Sequence, residues 1–413
     1  MTTGIAVRAS WWTARIRGLA MLAAAAVVSP AAAVDLADRP LFTSLSVPGN
    51  VVLSLSVEWP TANSPAYPST MPYSSATAFF GYFDPQKCYR YVYDAATPQN
   101  SYFTPNSLTS TRTCSSTAGV PLWSGNYLNW ASTHTLDAFR AVLTGGNRTV
   151  DTASDTIVQK TRHSGQGDTV TTWPDKLLSD GVGGATPFNW SSVQAQVFNL
   201  GVTMLVLPGG MTATAGNTVD YVDQGGSGRA AYRLYMRLRV CDATVGLEDN
   251  CVAYAGGYKP EGLLQQYADK LRYSVFGYLN DPDTRRDGGV MRARMKFIAP
   301  RAPVIGAPSV PNAAAEWDAS TGVMNANPDA QDAASTSSRL GLAASDVANS
   351  GILNYINKFG IAGGDYKEFD PVGELFYAGL RYIKHQGPVA SYADMSGASS
   401  TSFLSRASSK PTG

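Results

Sequence analysis

The sequence predicts a mixed α/β protein that is exported and braced by disulfides, and three observations support this. Short apolar or alternating runs, typical of strands, are interspersed with amphipathic runs, typical of helices. The chain begins with a secretory leader. An even number of cysteines follows the leader, at Cys88, Cys114, Cys241 and Cys251.

Residues 1–33 have the three parts of a signal peptide. A cationic start containing Arg8, Arg15 and Arg17 precedes an apolar core over 19–28, and small residues at 31–33 mark the cleavage site. This core is shorter than the roughly 20 residues that a membrane span needs, so we expect no span once the leader is removed. Removal takes away three of the 32 Lys and Arg residues and leaves 29 against 31 acids, a charge near −2. That balance gives no electrostatic reason to expect a nucleic-acid partner.

The four cysteines of an exported chain predict two disulfides, because exported proteins meet an oxidising environment. Three pairings are possible, and proximity along the chain favours Cys88–Cys114 and Cys241–Cys251. A zinc site is the disfavoured alternative, since no C-x-x-C spacing occurs.

The first strand and an aromatic strand are predicted near the start of the mature chain. NVVLSLSVEW, residues 50–59, is an apolar run stopped by Pro60. In FFGYFDPQKCYRYVYD, residues 79–94, alternating tyrosines indicate a strand with one aromatic face. A packed hydrophobic cluster is the favoured interpretation, and a surface that stacks sugars or binds a partner is the alternative. The residues of that binding alternative are Tyr82, Phe83, Tyr89, Tyr91 and Tyr93.

Further elements follow from periodicity and breakers. Residues 123–146 predict one helix, 202–207 (VTMLVL) a buried strand, and 232–240 an alternating strand. A helix over 261–271 should lead into a strand over 272–281. The next strand, MRARMKFI, should turn its basic residues Arg292, Arg294 and Lys296 to solvent.

The carboxyl-terminal part combines irregular and helical stretches. Residues 299–340 are expected to be irregular, with helices over 346–359 and 373–383. Residues 386–413 are Ser-rich and predict a disordered linker or a truncated end. The expected organisation is therefore a signal peptide over 1–33, an α/β region over 34–385 and a linker over 386–413.

Catalytic patterns are sparse. The three histidines, His134, His163 and His385, belong to no H-E-x-x-H motif, and the chain contains no G-x-S-x-G elbow. The Gly-rich stretch 223–229 lacks the lysine of a phosphate-binding loop. We therefore expect a protein that is not an enzyme.

A calcium loop is a weaker possibility in NDPDTRRDGG, residues 280–289. Asp281, Asp283 and Asp287 could supply carboxylate oxygens, but Arg285 and Arg286 would repel the ion. A simple turn is the favoured interpretation.

Several long stretches resemble the amino-terminal region of the PilC/PilY family, large exported factors associated with the tips of type IV pili. The matching stretches are SLSVEWPTANSPAY (54–67), FFGYFDPQKCYRY (79–91), WSGNYLNWAS (123–132), DAFRAVLTGGNR (137–148), the run from VCDATVGLEDNC to SVFGYLND (240–281), GGVMRARMKFI (288–298) and EFDPVGELFYAGLRYIK (368–384). They cover most of residues 45–385.

The resemblance implies a von Willebrand factor A-like fold, a doubly wound α/β sheet, here with long loop and strand insertions. Family members carry a divalent-metal site opened by D-x-S-x-S after the first strand. The comparable residues here are Ser54, Ser56 and Glu58, with no aspartate ahead of the serines. Near misses occur later at Asp318 with Ser320 and at Asp394 with Ser396. Calcium or magnesium is thus a possible cofactor, and the family's calcium-binding β-propeller has no counterpart in residues 1–413.

The function implied by the resemblance is support of pilus assembly and surface attachment. The implied partners are minor pilins, the pilus fibre and host or surface receptors, and the implied location is the periplasm, the outer surface or the pilus tip. A stand-alone carbohydrate- or matrix-binding module, using the aromatic residues of 79–93, is the alternative.

Overall fold

The computed structural model describes residues 47–57, 61–116, 119–162, 173–198, 201–223, 225, 227–278, 288–339, 349–358 and 371–393. The chain divides into two units, Met1–Ser46 and Val47–Gly413, and every described residue belongs to the second. The leader, Glu58, His163, the Asp281–Asp287 set and the Asp394–Ser396 pair lie outside the described residues. No helix within the described ranges combines the length and apolar character that crossing a bilayer requires.

The described residues form a mixed α/β fold, which confirms the predicted class. The strands are β1 Gly49–Leu55, β2 Lys87–Val92, β3 Tyr102–Leu108, β4 Trp123–Ser124, β5 Asn147–Asp151, β6 Thr156–Gln159, β7 Lys176–Leu178, β8 Val193–Phe198, β9 Thr203–Pro208, β10 Thr218–Asp220, β11 Ala231–Tyr235, β12 Arg237–Arg239, β13 Cys251–Tyr254, β14 Gly257–Pro260, β15 Leu271–Gly277, β16 Val290–Lys296, β17 Arg301–Val304 and β18 Ala307–Pro311. The helices are α1 Gly125–Ser132, α2 Thr135–Thr144, α3 Val182–Ala185, α4 Leu263–Gln266, α5 Ala330–Arg339, α6 Ile352–Lys358, α7 Val372–Ile383 and α8 Ala390–Ala393.

Two larger sheets form one part of the molecule, which we call the aromatic body. Their strand orders are β4-β2-β3-β12-β6-β5 and β10-β11-β9-β8-β7, and most pairs are antiparallel. The alternating run predicted over 232–240 is divided between them at Met236, as β11 and β12. Its inward residues Tyr232, Leu234, Leu238 and Val240 are buried as the period of two requires. Both sheets and α1 share one core rich in aromatic rings.

A smaller sheet, of order β1-β15-β16, forms a second part, which we call the three-stranded sheet. β1 and β15 are parallel, and β15 and β16 are antiparallel. One face packs on a core that includes Leu136 of α2 and Ile352, Leu353 and Ile356 of α6. The other face packs on Leu375 and Ala378 of α7. Helices therefore cover both faces, as they do in α/β proteins with parallel strands.

The helix predicted over 123–146 is interrupted, and the interruption has a local cause. Trp123–Ser124 is a strand, α1 ends at Ser132, and α2 begins at Thr135. His134 caps α2: its Nδ1 accepts the Leu136 N–H at 2.9 Å, and the Asp137 carboxylate accepts the His134 N–H at 2.8 Å. Gly145, with φ of 79°, ends α2 as predicted.

Three other predictions need correction. The helix expected over 261–271 is a single turn, Leu263–Gln266, before β15. Residues 299–340 are not irregular throughout, because they contain the β17–β18 hairpin and α5. Arg292 is buried, not solvated, because irregular pairing of β15 with β16 interrupts the strict alternation of faces. Its guanidinium lies 5.4 Å from the Tyr355 ring centroid.

Candidate functional site

The aromatic residues of 79–93 mostly belong to the core. Phe83, Tyr89 and Tyr91 are 5%, 0% and 1% exposed, while Tyr82 and Tyr93 are half-buried. Burial raises the pKa of the Tyr89 and Tyr91 phenols. Three of the five rings of the alternative stacking face are thus enclosed in this structure, which favours the packed hydrophobic cluster.

Specific hydrogen bonds hold the aromatic strand inward. Tyr89 Oη accepts the Asp84 N–H at 2.8 Å, and Tyr91 Oη accepts the Tyr235 N–H at 2.9 Å. From α1, the Asn129 amide donates to the carbonyls of Phe79 and Phe83, both at 2.7 Å. Such side-chain bonds to loop backbone satisfy buried polar groups that would otherwise oppose packing.

Both disulfides have the pairing favoured by proximity, Cys88–Cys114 and Cys241–Cys251. Glu248 links the second disulfide to β2: one carboxylate oxygen accepts the Cys241 N–H at 2.8 Å, and the other lies 2.6 Å from Lys87 Nζ. Among the described residues, Cys241, Glu248 and Cys251 are the only three potential metal ligands that cluster closely. Because both sulfurs are committed to the disulfide, this cluster has no thiolate to offer an ion.

Two buried lysines lie beside α1 and α2. Lys176 donates to the Trp130 carbonyl, and its Nζ lies 5.2 Å from the Trp130 ring centroid. Burial, with repulsion from Lys160, lowers the pKa of Lys176 to about 7. Lys160 Nζ is 3.4 Å from Asp137 Oδ2, and burial lowers its pKa as well. Lowered lysine pKa values occur at reactive sites, but burial is the main cause in these two, since Lys160 and Lys176 are 5% and 2% exposed.

Of the residues predicted for a metal site, only Ser54 and Ser56 lie within the described part of the chain. Ser56 Oγ lies 3.0 Å from Tyr278 Oη, at the neighbouring carboxyl ends of β1 and β15. Ser54 Oγ faces α7 at Gly379. The carboxylates proposed for this site, Glu58 and the three aspartates of 281–287, lie outside the described residues. The two serines alone supply only hydroxyl oxygens, so the metal site stays a prediction.

Asp318 and Ser320, which partly match the D-x-S-x-S metal motif, form a turn. The Asp318 Oδ1 accepts the N–H groups of Ser320 and Thr321 at 3.0 and 2.7 Å. These bonds lower the pKa of the Asp318 carboxyl. A nearby cleft of about 590 Å³ is lined by Tyr254, Glu261 and Trp317, and sequence patterns did not indicate it because its parts come from three segments.

One exposed apolar surface lies on α7. Val372, Phe376 and Ile383 are 48%, 63% and 53% exposed, on a helix whose opposite side packs on the three-stranded sheet. Sequence analysis found the helix but not this surface, since exposure depends on which side the sheet covers. A contact surface is what such a patch provides chemically.

Fold and site together define a disulfide-braced α/β protein whose recognisable surfaces suit contacts with other molecules. Residues 70–216 match the family model described as PilY1 homolog, small alpha/beta domain. Over 392 residues the chain is 39% identical to a type IV pilus biogenesis factor PilY1 homolog of Xylella fastidiosa (strain Temecula1 / ATCC 700964), covering 89% of this chain and 30% of that protein. A second protein of that description and organism is 28% identical over 264 residues, covering 52% of this chain and 16% of the relative. No solved structure is significantly similar to the chain.

The resemblance to the PilC/PilY family that the sequence motifs predicted is thus confirmed by similarity to PilY1 homologs and by the match to a PilY1-homolog domain model. The chain spans less than a third of the length of either relative.

Proposed function

We propose that the protein is an exported factor of type IV pilus biogenesis that acts by docking and not by catalysis. The single observation that carries this proposal is the 39% identity to a pilus biogenesis factor over 89% of the chain. A match over 89% of the chain includes the disulfide-braced aromatic body and also the three-stranded sheet. The similarity is therefore not confined to one short motif.

Two features of the chain support export. The sequence of residues 1–33 predicts a leader, and all four cysteines are paired in disulfides. Disulfides persist in oxidising compartments. We place the protein in the periplasm, at the outer surface or at the pilus tip, with minor pilins and the fibre as partners.

For the three-stranded sheet we propose a von Willebrand factor A-like arrangement. The parallel β1–β15 pair and the helices on both faces support this. The usual aspartate before Ser54 and Ser56 is missing, so docking through this part would not depend on a metal held in the ordinary way.

Surface attachment is the second part of the proposed role, through contacts with host or surface receptors. The alternative, a carbohydrate-binding module built on residues 79–93, loses support because Phe83, Tyr89 and Tyr91 are buried.

Deletion of the gene tests the proposal. We expect fewer surface pili, reduced twitching and reduced attachment, all restored by the wild-type gene. A matched control restores the deletion with the Phe80→Ala variant, which alters an exposed ring and should complement fully. Normal piliation, twitching and attachment in the deletion strain would contradict the proposal.

A further inference from the structure

A cleft of about 590 Å³ opens where three segments of the chain meet. Strand β13 and the following Ala255 line it from one segment, residues 317–320 line it from another, and Glu261, just before α4, is the third contributor. Pockets of about 300–1,000 Å³ bind small organic molecules. The cleft therefore has room for an organic ligand group.

Close contacts hold these segments together. The Ala255 N–H donates to the Ser320 carbonyl at 3.0 Å, which joins the end of β13 to the segment 317–320. A Cβ on Gly322 would lie 2.6 Å from the Tyr254 ring, so the main chain that follows this segment packs directly on that ring. A ligand would thus meet a cleft that is already formed, and ordering it would cost little binding free energy.

Glu261 brings a buried carboxylate to this cleft. The residue is 8% exposed, and its N–H donates to the Asn250 carbonyl at 2.9 Å. One carboxylate oxygen accepts the Tyr254 O–H. Burial and this bond raise the pKa of the Tyr254 phenol, so the hydroxyl stays protonated and continues to donate. The other carboxylate oxygen has no hydrogen-bond donor among the described residues.

No cation of the described ranges neutralises this carboxylate, since Glu261 forms no ion pair with a lysine or arginine there. Arg148 is close enough to influence Tyr254 electrostatically. Its guanidinium, however, pairs with Asp151 and donates to the Pro260 carbonyl at 2.7 Å. Buried charges are normally paired, because an unpaired one is costly to remove from water. A cationic ligand in the cleft would supply the missing partner.

The remaining lining suits a cation that is carried on an aliphatic stem. The aromatic rings of Tyr254 and Trp317 line the cleft, and aromatic rings attract ammonium groups through their electron-rich faces. Val252 and Ala253 of β13 are exposed and add apolar surface. An alkyl chain can cover such surface while its charged end reaches a carboxylate.

A metal ion or a neutral sugar fits the same lining less well. Calcium and magnesium need six or more oxygen ligands, and no group of three close metal ligands within the described ranges includes Glu261. The neighbouring Asp318 carboxylate is occupied by the N–H groups of its own turn. Trp317 is only 8% exposed, so its ring offers a sugar little surface for stacking. A neutral sugar would also leave the Glu261 charge without a partner.

We propose that this cleft binds an alkylammonium group, with the ammonium on Glu261 beside the rings of Tyr254 and Trp317. The ammonium would donate to the second Glu261 oxygen in a charge-assisted hydrogen bond. The alkyl stem would lie along the exposed apolar residues of β13. A lysine side chain of a polypeptide and a free alkylamine share this chemistry, and the experiment below distinguishes them.

The binding site does not depend on the pilus role, because amine binding is measured on purified protein. A deletion strain with normal pili would contradict only the role in pilus biogenesis. Absence of amine binding would contradict only the site at Glu261.

The first test titrates the full chain, with both disulfides intact, with n-butylammonium chloride. The controls are 1-butanol, which has the same shape without the charge, and methyl glucoside. Saturation-transfer NMR should show saturable binding of butylammonium and at least tenfold weaker binding of both controls. Equal binding of 1-butanol, preferred binding of methyl glucoside, or no binding of any probe would overturn the proposal. The last result would also follow if another segment of this chain filled the cleft.

A second titration identifies the source of the ammonium group. It uses N-acetyl-lysine N-methylamide, which carries a lysine side chain on a short piece of main chain, and the corresponding norleucine compound, which lacks the amine. Binding of the lysine compound at least threefold tighter than butylammonium would assign the site to a polypeptide, and equal binding would assign it to a free amine. In both cases the norleucine compound should bind at least tenfold more weakly, and equal binding of the two compounds would refute the site.

Two variants that remove one negative charge each provide a matched comparison. Glu261→Gln keeps the shape of the side chain and an acceptor for the Tyr254 O–H, and it should weaken butylammonium binding at least tenfold. Asp249→Asn changes an exposed carboxylate shortly before β13 and should alter binding less than twofold. Equal effects of the two would mean that general attraction to an acidic surface, and not this cleft, holds the amine.

A third variant tests the site without altering the buried carboxylate. Ala253 is exposed and lines the cleft, so Ala253→Lys should leave the fold intact and place its own ammonium near Glu261. Butylammonium binding should then fall at least tenfold, while thermal unfolding shows that the protein remains folded. Unchanged binding to folded Ala253→Lys protein would contradict the location of the site.

Discussion

The aromatic body and the three-stranded sheet bury their strands to different extents. In the body, β9 is buried at all six positions from Thr203 to Pro208 and has a partner on each side. In the three-stranded sheet, β1 has an equally apolar run but, among the described strands, one partner and no fully buried residue. Similar strand composition therefore goes with different degrees of burial in the two parts.

The two parts also differ in how they are held together. Both disulfides lie in the body or in the loop attached to it through Lys87 and Glu248. The three-stranded sheet has no disulfide among its described residues and depends on the packing of α2, α6 and α7. The described part of the body is therefore braced covalently, whereas the described part of the three-stranded sheet is held by side-chain packing.

The largest effect on folding stability should come from a substitution at the centre of the aromatic body. Trp123 is fully buried, with its ring 5.4 Å from that of Tyr221 and 5.8 Å from that of Phe188. Trp123→Ala should lower the free energy of unfolding by about 3–5 kcal/mol, since it leaves a large cavity. Phe80→Ala, at an exposed ring, should change it by less than about 0.5 kcal/mol. Similar values for the two in urea unfolding would contradict the assignment of this core.

The next largest loss of stability should follow removal of a disulfide. Chain entropy predicts a loss of about 3.5 kcal/mol for the Cys88→Ala, Cys114→Ala pair, which closes 26 residues, and about 2.7 kcal/mol for the Cys241→Ala, Cys251→Ala pair, which closes 10. Thermal unfolding of each double variant checks the order. A larger loss of stability on removal of Cys241–Cys251 would mean that the Glu248–Lys87 contact, and not chain entropy, determines the effect.

A pH-dependent effect should come from Lys176. Its pKa of about 7 in the folded protein lies below the ordinary value of 10.5, so between these values the unfolded chain binds more protons. Native stability should therefore rise with pH across this window, by up to about 1.4 kcal/mol per pH unit. Lys176→Met should remove that rise and stabilise the protein more at pH 6 than at pH 9.

Denaturant unfolding at both pH values measures this difference. Lys87→Met is the control, because Lys87 is equally buried but paired with Glu248 at 2.6 Å. That variant should destabilise the protein at both pH values by stranding a carboxylate. A gain from Lys176→Met that is the same at pH 6 and pH 9 would refute the buried-lysine argument.

The smallest effect compares two glycines of α7. A Cβ at Gly379 would meet Ser54 and Val52 at 2.9 and 3.1 Å, whereas nothing lies within 4 Å of one at Gly373. Gly379→Ala should cost about 1–3 kcal/mol by lifting α7 from β1. Gly373→Ala should stabilise by up to about 1 kcal/mol, because alanine favours helix. If Gly379→Ala lowers the melting temperature and Gly373→Ala raises it, the close contact of α7 with β1 is verified. Changes of the same sign would exclude that contact.

Much of the local structure could be predicted from residue patterns. VTMLVL became the buried β9, the run 373–383 became α7, and the neighbouring cysteines paired. These features depend on residues close in sequence, whose periodicity and loop length act locally. The interruption at His134 was missed because its cap needs a histidine ring nitrogen in the role usually taken by serine or aspartate.

The candidate surfaces were much less predictable. Alternation of Tyr89 and Tyr91 indicated a strand face but not whether α1 and the second sheet would cover it. Arg292 was expected in solvent because the pairing irregularity that turns it inward depends on β15, a different segment.

The sequence by itself indicated the resemblance to a family, the pairing of neighbouring cysteines and the positions of several strands, among them β1, β9 and β15, because motifs, loop length and residue periodicity are properties of the chain. Tertiary structure alone decided that the tyrosines of β2 face inward, that Val372, Phe376 and Ile383 remain exposed, and that β15 lies between β1 and β16. The physical reason is that burial and pairing belong to two surfaces at once, and the second surface comes from residues far away along the chain.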